Sequence, residues 1–144
     1  MSCSLCERVK ATQDRSYPYL IHEFKHSYLY LGEHQYYQGY CVLVAKGHYK
    51  EMTDIPDQDG RALFDEMMVT HRTLEKAFNP SKMNMCSLGN VVPHVHWHFF
   101  PRYSNDPQFN NPPWLQMQHF ESAKVTPQQR DEIIQIIQKV LSAS

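Results

Sequence analysis

The sequence lacks the long apolar stretches and the one-sided charge that are typical of membrane and nucleic-acid-binding proteins. Even the apolar run from Cys41 to Ala45 is far shorter than the roughly 20 residues of a membrane-spanning helix. The 14 basic and 15 acidic residues leave a formal net charge of −1, so no broad basic surface is available for a nucleic acid. We therefore expect neither a membrane nor a nucleic acid as partner, and any bound anion must be held by local hydrogen-bond donors.

Cysteine is also scarce, with four residues among 144. The first ten residues, MSCSLCERVK, contain no apolar signal-peptide core, so we expect a cytoplasmic location, where disulfides are rare. Cys3 and Cys6 nevertheless form a Cys-x-x-Cys pair. Thiolates at this spacing can supply half of a structural zinc site, and the alternatives are a redox pair or two cysteines that bind nothing.

The pattern of apolar residues predicts an α+β domain. A length of 144 residues suits one domain, residues 1–144. Aromatic and β-branched residues predict strands at 28–31 and 40–44. Apolar residues at helical spacing after Pro56 predict one long amphipathic helix of about 20 residues that ends at Asn79. Strands and helices in this order predict an antiparallel sheet with helices on one face.

The C-terminal third is predicted to contain a loop and a helix. Residues 103–114 are polar and rich in proline, which predicts a surface loop. Trp114 at its end either closes over a site or pins the loop to the core. Thr126 and Pro127 have the residue types of an N-cap and a first helical position, so a helix is expected at about 127–142.

The most informative stretch is the seven-residue run from His94 to Phe100, His-Val-His-Trp-His-Phe-Phe. Strict alternation predicts a strand with three imidazoles on one face and apolar side chains on the other. Same-face neighbours stand roughly 6.5–7 Å apart, so the imidazoles can converge on one phosphate or one metal ion. They can hold a catalytic zinc as three ligands, or handle phosphorus directly with one imidazole as nucleophile. A merely structural triplet is the remaining alternative.

This run resembles the motif of the histidine triad (HIT) superfamily, His-φ-His-φ-His-φ-φ with φ apolar, at all seven positions. The flanking Gly89-Asn90 and Pro101-Arg102 match as well, as does Asn84 on the preceding predicted strand, residues 82–88. The resemblance extends more loosely from Cys3 to Trp114. It implies an antiparallel sheet of about five strands with one long helix and a C-terminal helix, and a homodimer.

The resemblance implies a bacterial-type nucleotide hydrolase that attacks the α-phosphorus of a purine nucleotide conjugate. His96 would be the nucleophile and form a covalent nucleotidyl-histidine. His94 and His98 would donate hydrogen bonds to the phosphate, with one available to protonate the leaving group, and no cofactor would be required for the chemistry. A histidine rather than a glutamine at position 98 favours hydrolysis over transfer. Dinucleoside polyphosphates and nucleoside phosphoramidates are both implied as substrates, and a nucleotide-binding regulatory module with little turnover is a further alternative.

The resemblance further implies how the phosphate and the nucleoside would be held. Asn84 would hold a phosphate oxygen or orient His96, and the bend at Gly89-Asn90 would contact the phosphate. The strand that contains Leu29 and Leu31 would lie against the purine and ribose.

Two positions depart from the family pattern. Gly32 stands where an acidic or amide side chain usually holds the ribose, which leaves Glu33 and Gln35 as nearby substitutes. Val91 stands where a serine or threonine often donates to the leaving group.

The resemblance also implies a completion of the Cys-x-x-Cys pair. In some bacterial members an N-terminal cysteine pair and two histidines form a structural zinc site. The matching positions here are Cys3, Cys6, His48 and His94.

Overall fold

The computed structural model describes residues 2–144 and places one antiparallel sheet at the centre of the chain. The sheet has five strands in the order β1-β2-β3-β5-β4. These strands are β1 Leu20–Glu23, β2 Ser27–Leu31, β3 Cys41–Ala45, β4 Lys82–Cys86 and β5 His96–Arg102. The helices are α1 Ser4–Gln13, α2 Asp57–Phe78 and α3 Pro127–Ser142. The predicted fold class, with one long helix and a C-terminal helix, is confirmed.

The two faces of the sheet pack against different partners. Leu29, Leu43 and Phe99 point to the face covered by α2 and α3, where they form the larger core. The opposite face carries Phe100 and a second apolar cluster, which α1 covers together with a segment that follows β5. Side chains alternate along a strand, so His96 and His98 share this second face with Phe100.

The register of the central strands fixes the position of these histidines. β5 lies between β3 and β4, and His98 is opposite Val42 on one side and Cys86 on the other. His96 is opposite Val44. The two imidazoles therefore project from the middle of the sheet rather than from an edge.

Local sequence explains where α3 begins and where α2 ends. α3 starts with a capping box, because the Thr126 hydroxyl accepts from the Gln129 amide at 3.2 Å and the Gln129 side chain accepts from the Thr126 amide at 2.9 Å. α2 ends at Phe78, and the C-cap residue Asn79 adopts the left-handed conformation with φ 46°. None of the helices described between residues 2 and 144 is long and apolar enough to cross a membrane.

Three details differ from the sequence prediction. β5 begins at His96, and His94 lies in the preceding bend, where its amide donates to Val92 at 2.8 Å. β1 was not expected from its short, mixed sequence. The last two residues of the predicted loop at 103–114 belong to a 3₁₀ helix, Pro113–His119. A second short 3₁₀ helix, Glu121–Ala123, follows after one residue.

Candidate functional site

His96 stands at the start of β5 with one ring nitrogen fixed and the other free. Its Nδ1 lies 2.6 Å from the carbonyl oxygen of His94. A carbonyl can only accept, so Nδ1 carries the proton in the neutral ring, and Nε2 keeps its lone pair. This tautomer gives His96 a nucleophilic nitrogen without prior loss of a proton.

A pocket of about 510 Å³ opens beside His96 and His98. Its remaining lining consists of Leu88, Gly89, Asn90, Val91, Val92, Trp114 and Met117. The structure thus brings the predicted residues Gly89 and Asn90 to the histidines. No lysine, arginine or carboxylate is among the lining residues, so the imidazoles, the Asn90 amide and the main chain supply its polar groups.

His98 is enclosed by aromatic side chains. Its Nδ1 lies 2.7 Å from the Tyr40 hydroxyl, and the edge of Trp114 packs against its ring with centroids 4.8 Å apart. Burial, with smaller contributions from His96 and His34, lowers the pKa of His98 to about 4. The ring is therefore neutral at pH 7.

His94 faces away from this pocket. Its Nε2 donates to the carbonyl oxygen of Ala45 at 2.7 Å, so its Nδ1 carries a lone pair. That lone pair faces Cys3 Sγ and Cys6 Sγ, both at 3.5 Å, and His48 Nδ1 at 3.3 Å. His94 is not among the residues that line this pocket, and the three triad histidines do not converge as one set of zinc ligands. A contact of His94 with the phosphate stays a prediction.

Cys3, Cys6, His48 and His94, hereafter the Cys–His cluster, form a candidate metal site. Their four ligand atoms all lie within 4.8 Å of one another, and Cys6 Sγ is 3.2 Å from His48 Nδ1. Tetrahedral zinc with Zn–S of about 2.3 Å and Zn–N of about 2.05 Å separates such ligand atoms by roughly 3.3–3.8 Å. Both the donor set and the spacing fit zinc.

Asn84 lies on the same face of the sheet but outside the histidine pocket. Its Oδ1 accepts from Arg102 Nη1 at 2.7 Å, and it lines a separate cavity of about 400 Å³. Trp114 stands between the two cavities, and its Nε1 donates to Cys86 Sγ at 3.2 Å. The group that contacts His96 Nδ1 is the carbonyl of His94, and a contact of Asn84 with a phosphate oxygen or with His96 stays a prediction.

The residues predicted to contact the nucleoside are not among those that line the histidine pocket. Leu29 and Leu31 are 0% and 1% exposed in the helix-side core, so their side chains cannot reach a ligand beside the histidines. A contact of this strand with the purine and ribose stays a prediction. Glu33 is exposed, and its carboxylate accepts from the Tyr17 hydroxyl at 3.4 Å.

Tyr40 is a site residue that sequence reasoning missed. A Cβ atom on Gly32 would lie 2.1 Å from Cδ2 of Tyr40, so the tyrosine ring fills the space that a side chain at position 32 would need. The absence of a side chain at position 32 is the signal that could have pointed to a bulky neighbour.

The geometry of the pocket can be set beside known proteins. The protein-family model described as HIT domain matches residues 14–105, which make up more than half of the chain. The protein belongs to the HIT family. Its five-stranded antiparallel sheet is the sheet expected from the resemblance of the histidine motif.

Individual relatives support the same assignment. An uncharacterized HIT-like protein of Methanocaldococcus jannaschii is 28% identical over 91 residues, which cover 60% of this chain and 70% of that protein. A Zn-bound histidine triad family protein of Mycobacterium smegmatis has a TM-score of 0.70 at 19% identity, with 99% of this chain and 95% of that chain covered. Diadenosine triphosphate hydrolase of Plasmodium falciparum has a TM-score of 0.62 at 17% identity, with 88% and 78% covered. At these identities the two solved structures show a shared fold.

Proposed function

We propose that the protein is a nucleotide hydrolase in which His96 attacks the α-phosphorus of a nucleotide conjugate. The observation that carries this proposal is the hydrogen bond from His96 Nδ1 to the His94 carbonyl, because it leaves a lone pair on Nε2 beside a pocket. A relative of the same fold is a diadenosine triphosphate hydrolase, which supports hydrolysis as the reaction class.

The reaction proceeds in two displacements. His96 Nε2 forms a bond to phosphorus, and the phosphorus–oxygen or phosphorus–nitrogen bond to the leaving group breaks. The leaving atom keeps the electron pair and takes a proton that enters with solvent. Water then attacks the nucleotidyl-histidine, the pair of the breaking bond returns to Nε2, and the proton of water departs.

The surroundings of His96 favour this intermediate. The ring carries a positive charge while Nε2 is bound to phosphorus, and the His94 carbonyl accepts a charge-assisted hydrogen bond from Nδ1. The main chain of the Gly89-Asn90 bend lines the pocket and offers amide donors for the phosphoryl oxygens.

The proposed substrates are purine nucleoside phosphoramidates and dinucleoside polyphosphates. The pocket lining contains no lysine or arginine to offset several negative charges. This favours the phosphoramidate, which carries a single charge on its phosphorus centre, over the polyphosphate chain.

We also propose that the Cys–His cluster holds a structural zinc ion. Cys3 and Cys6 would supply thiolates, and His48 and His94 would supply Nδ1 lone pairs. A bound ion would tie α1 to the bend before β5 and take no part in the reaction. The Zn-bound relative from Mycobacterium smegmatis supports this assignment.

The test is to trap the intermediate. Purified protein is mixed with an adenosine phosphoramidate or a diadenosine polyphosphate labelled at the α-phosphorus, then quenched in alkaline denaturant, because phosphorus–nitrogen bonds are acid-labile. We expect label on His96 and a loss of turnover of at least about 10³-fold in His96→Ala. His71→Ala on α2 is the matched control, and it should keep the label on His96 and the turnover of the wild type. Turnover with no label on His96, or activity retained in His96→Ala, would contradict the proposal.

A further inference from the structure

We propose that Tyr40 is a positioning residue that holds His98 in the tautomer with its proton on Nε2, opposite to the tautomer of His96. This inference rests on the proposed function and adds a role for a residue outside the histidine motif. Tyr40 lies 58 positions before His98, just ahead of β3.

The direction of the hydrogen bond follows from what surrounds the hydroxyl. Tyr40 is buried, and among residues 2–144 its hydroxyl has a single hydrogen-bond partner, His98 Nδ1 at 2.7 Å. If the hydroxyl accepted from Nδ1, its own proton would be buried without an acceptor, which costs about 1–3 kcal/mol. Tyr40 therefore donates, His98 Nδ1 accepts, and the proton of the neutral ring is on Nε2.

Packing fixes the position of the hydroxyl. The ring of Tyr40 stacks on Phe100 with centroids 4.4 Å apart and planes within 1°, and on His34 at 4.7 Å. Gly32 leaves room for it on the side of β2. The hydroxyl cannot turn to another partner without displacing these contacts, so it acts as a rigid donor.

The two imidazoles then present complementary groups to one phosphorus centre. Their ring centroids are 4.9 Å apart with planes at 77°. His96 offers a lone pair on Nε2, and His98 offers an N–H that can donate to a phosphoryl oxygen or to the leaving atom. With the reverse tautomer on His98, two lone pairs would face a negatively charged group. Tyr40 removes that arrangement before substrate binds, which is electrostatic preorganisation.

The test is Tyr40→Phe, which removes the hydroxyl and keeps the stacked ring. Tyr37→Phe is the matched control, because the Tyr37 hydroxyl is buried and has no partner among the described residues. Long-range proton–nitrogen NMR spectra at pH 7 should show a bare Nδ1 and a protonated Nε2 on His98 in the wild type and in Tyr37→Phe. In Tyr40→Phe we expect a mixture of tautomers and a fall in kcat of about 2- to 10-fold with little change in KM, in proportion to the fraction of His98 that keeps its proton on Nε2.

Several results separate this inference from the proposed function. A protonated Nδ1 on His98 in the wild type would overturn it whether or not the variant folds. So would an unchanged His98 spectrum or an unchanged kcat in folded Tyr40→Phe. The nitrogen spectra need no substrate, so absence of label on His96 would count against the hydrolase alone.

Discussion

His94 and His98 are four residues apart in one motif, yet they have different surroundings. Both ring nitrogens of His94 are engaged, one by the carbonyl of Ala45 and the other by the Cys–His cluster. Within residues 2–144, His98 has one hydrogen-bond partner, Tyr40, and its ring lines an open pocket. Under the two proposals above, identical side chains serve as a zinc ligand at one end of the motif and as a hydrogen-bond donor at the other.

The residue between them connects the two regions. His96 donates to the main-chain carbonyl of His94 and lies beside the ring of His98. The Cys–His cluster and His96 therefore meet at one residue, because the ring of His94 belongs to the cluster and its carbonyl accepts from His96.

The largest expected effect comes from dismantling the cluster. We expect the purified protein to contain about one zinc ion per chain, and Cys6→Ala or a chelator to lower the free energy of unfolding by about 3 kcal/mol or more. For a chain of this length, that corresponds to a fall in Tm of about 10 °C. Metal analysis and thermal unfolding measure both quantities.

Cys86→Ser is the control for the cluster, because Cys86 is half-buried on β4 and is not part of the Cys–His cluster. It should keep its zinc. A wild-type protein that binds no zinc, or whose Tm is unchanged by a chelator, would contradict this prediction. The contrast between His94 and His98 would then not include a bound metal ion.

Sequence patterns predicted the elements whose periodicity is regular. The alternating motif and the apolar stripe of α2 specify a strand and a helix without reference to the rest of the chain. The family motif also brought together Cys3, Cys6 and His48 with His94, four residues that the structure places around one point.

Contacts that depend on register between distant strands could not be predicted. Leu29 is opposite Leu43, and a shift of one residue would turn it toward the histidines, so its face follows from pairing and not from composition. The contact of Tyr40 with His98 joins the residue just before β3 to a residue of β5, and the two carry no shared sequence pattern. The single domain, the homodimer and the cytoplasmic location stay predictions.

A smaller effect on stability is expected when a side chain is placed against Tyr40, the partner of His98. In Gly32→Ala the new Cβ would meet Tyr40 Cδ2 at 2.1 Å, so the ring must shift. We expect a loss of about 1–3 kcal/mol in the free energy of unfolding and a lower kcat, because the Tyr40 hydroxyl moves relative to His98. Zinc content should stay unchanged.

Gly60→Ala is the matched control for Gly32→Ala. Its Cβ would meet Ile55 Cγ2 at an ordinary 3.8 Å, and alanine favours the helix α2. Chemical denaturation and steady-state kinetics compare the two variants. Equal stability of both would mean that Tyr40 is not tightly held at the pocket.

The smallest effect concerns His34, whose ring lies between Tyr40 at 4.7 Å and Phe120 at 4.0 Å. Its Nδ1 is buried without a partner among the described residues, and burial lowers its pKa to about 4. An unfolded histidine has a pKa of about 6.5, so between pH 6.5 and 4 the unfolded chain binds more protons than the folded one. Stability from this group is complete above pH 6.5 and is lost as the pH falls toward 4. His98 adds a loss in the same window.

His34→Phe removes one of these contributions and keeps an aromatic ring in the stack. We expect the variant to be more stable than the wild type by up to about 1 kcal/mol at pH 7, since an unpartnered polar atom is removed. The gain should grow at pH 5, because the unfolded variant no longer takes up that proton. Urea unfolding at the two pH values measures the difference, with the exposed His119→Phe as control. A gain that is equal at both pH values would show that His34 titrates as freely in the folded protein as in the unfolded chain. The aromatic surroundings of His98 would then be open to water. The difference between His98 and His94 would rest on their hydrogen-bond partners alone.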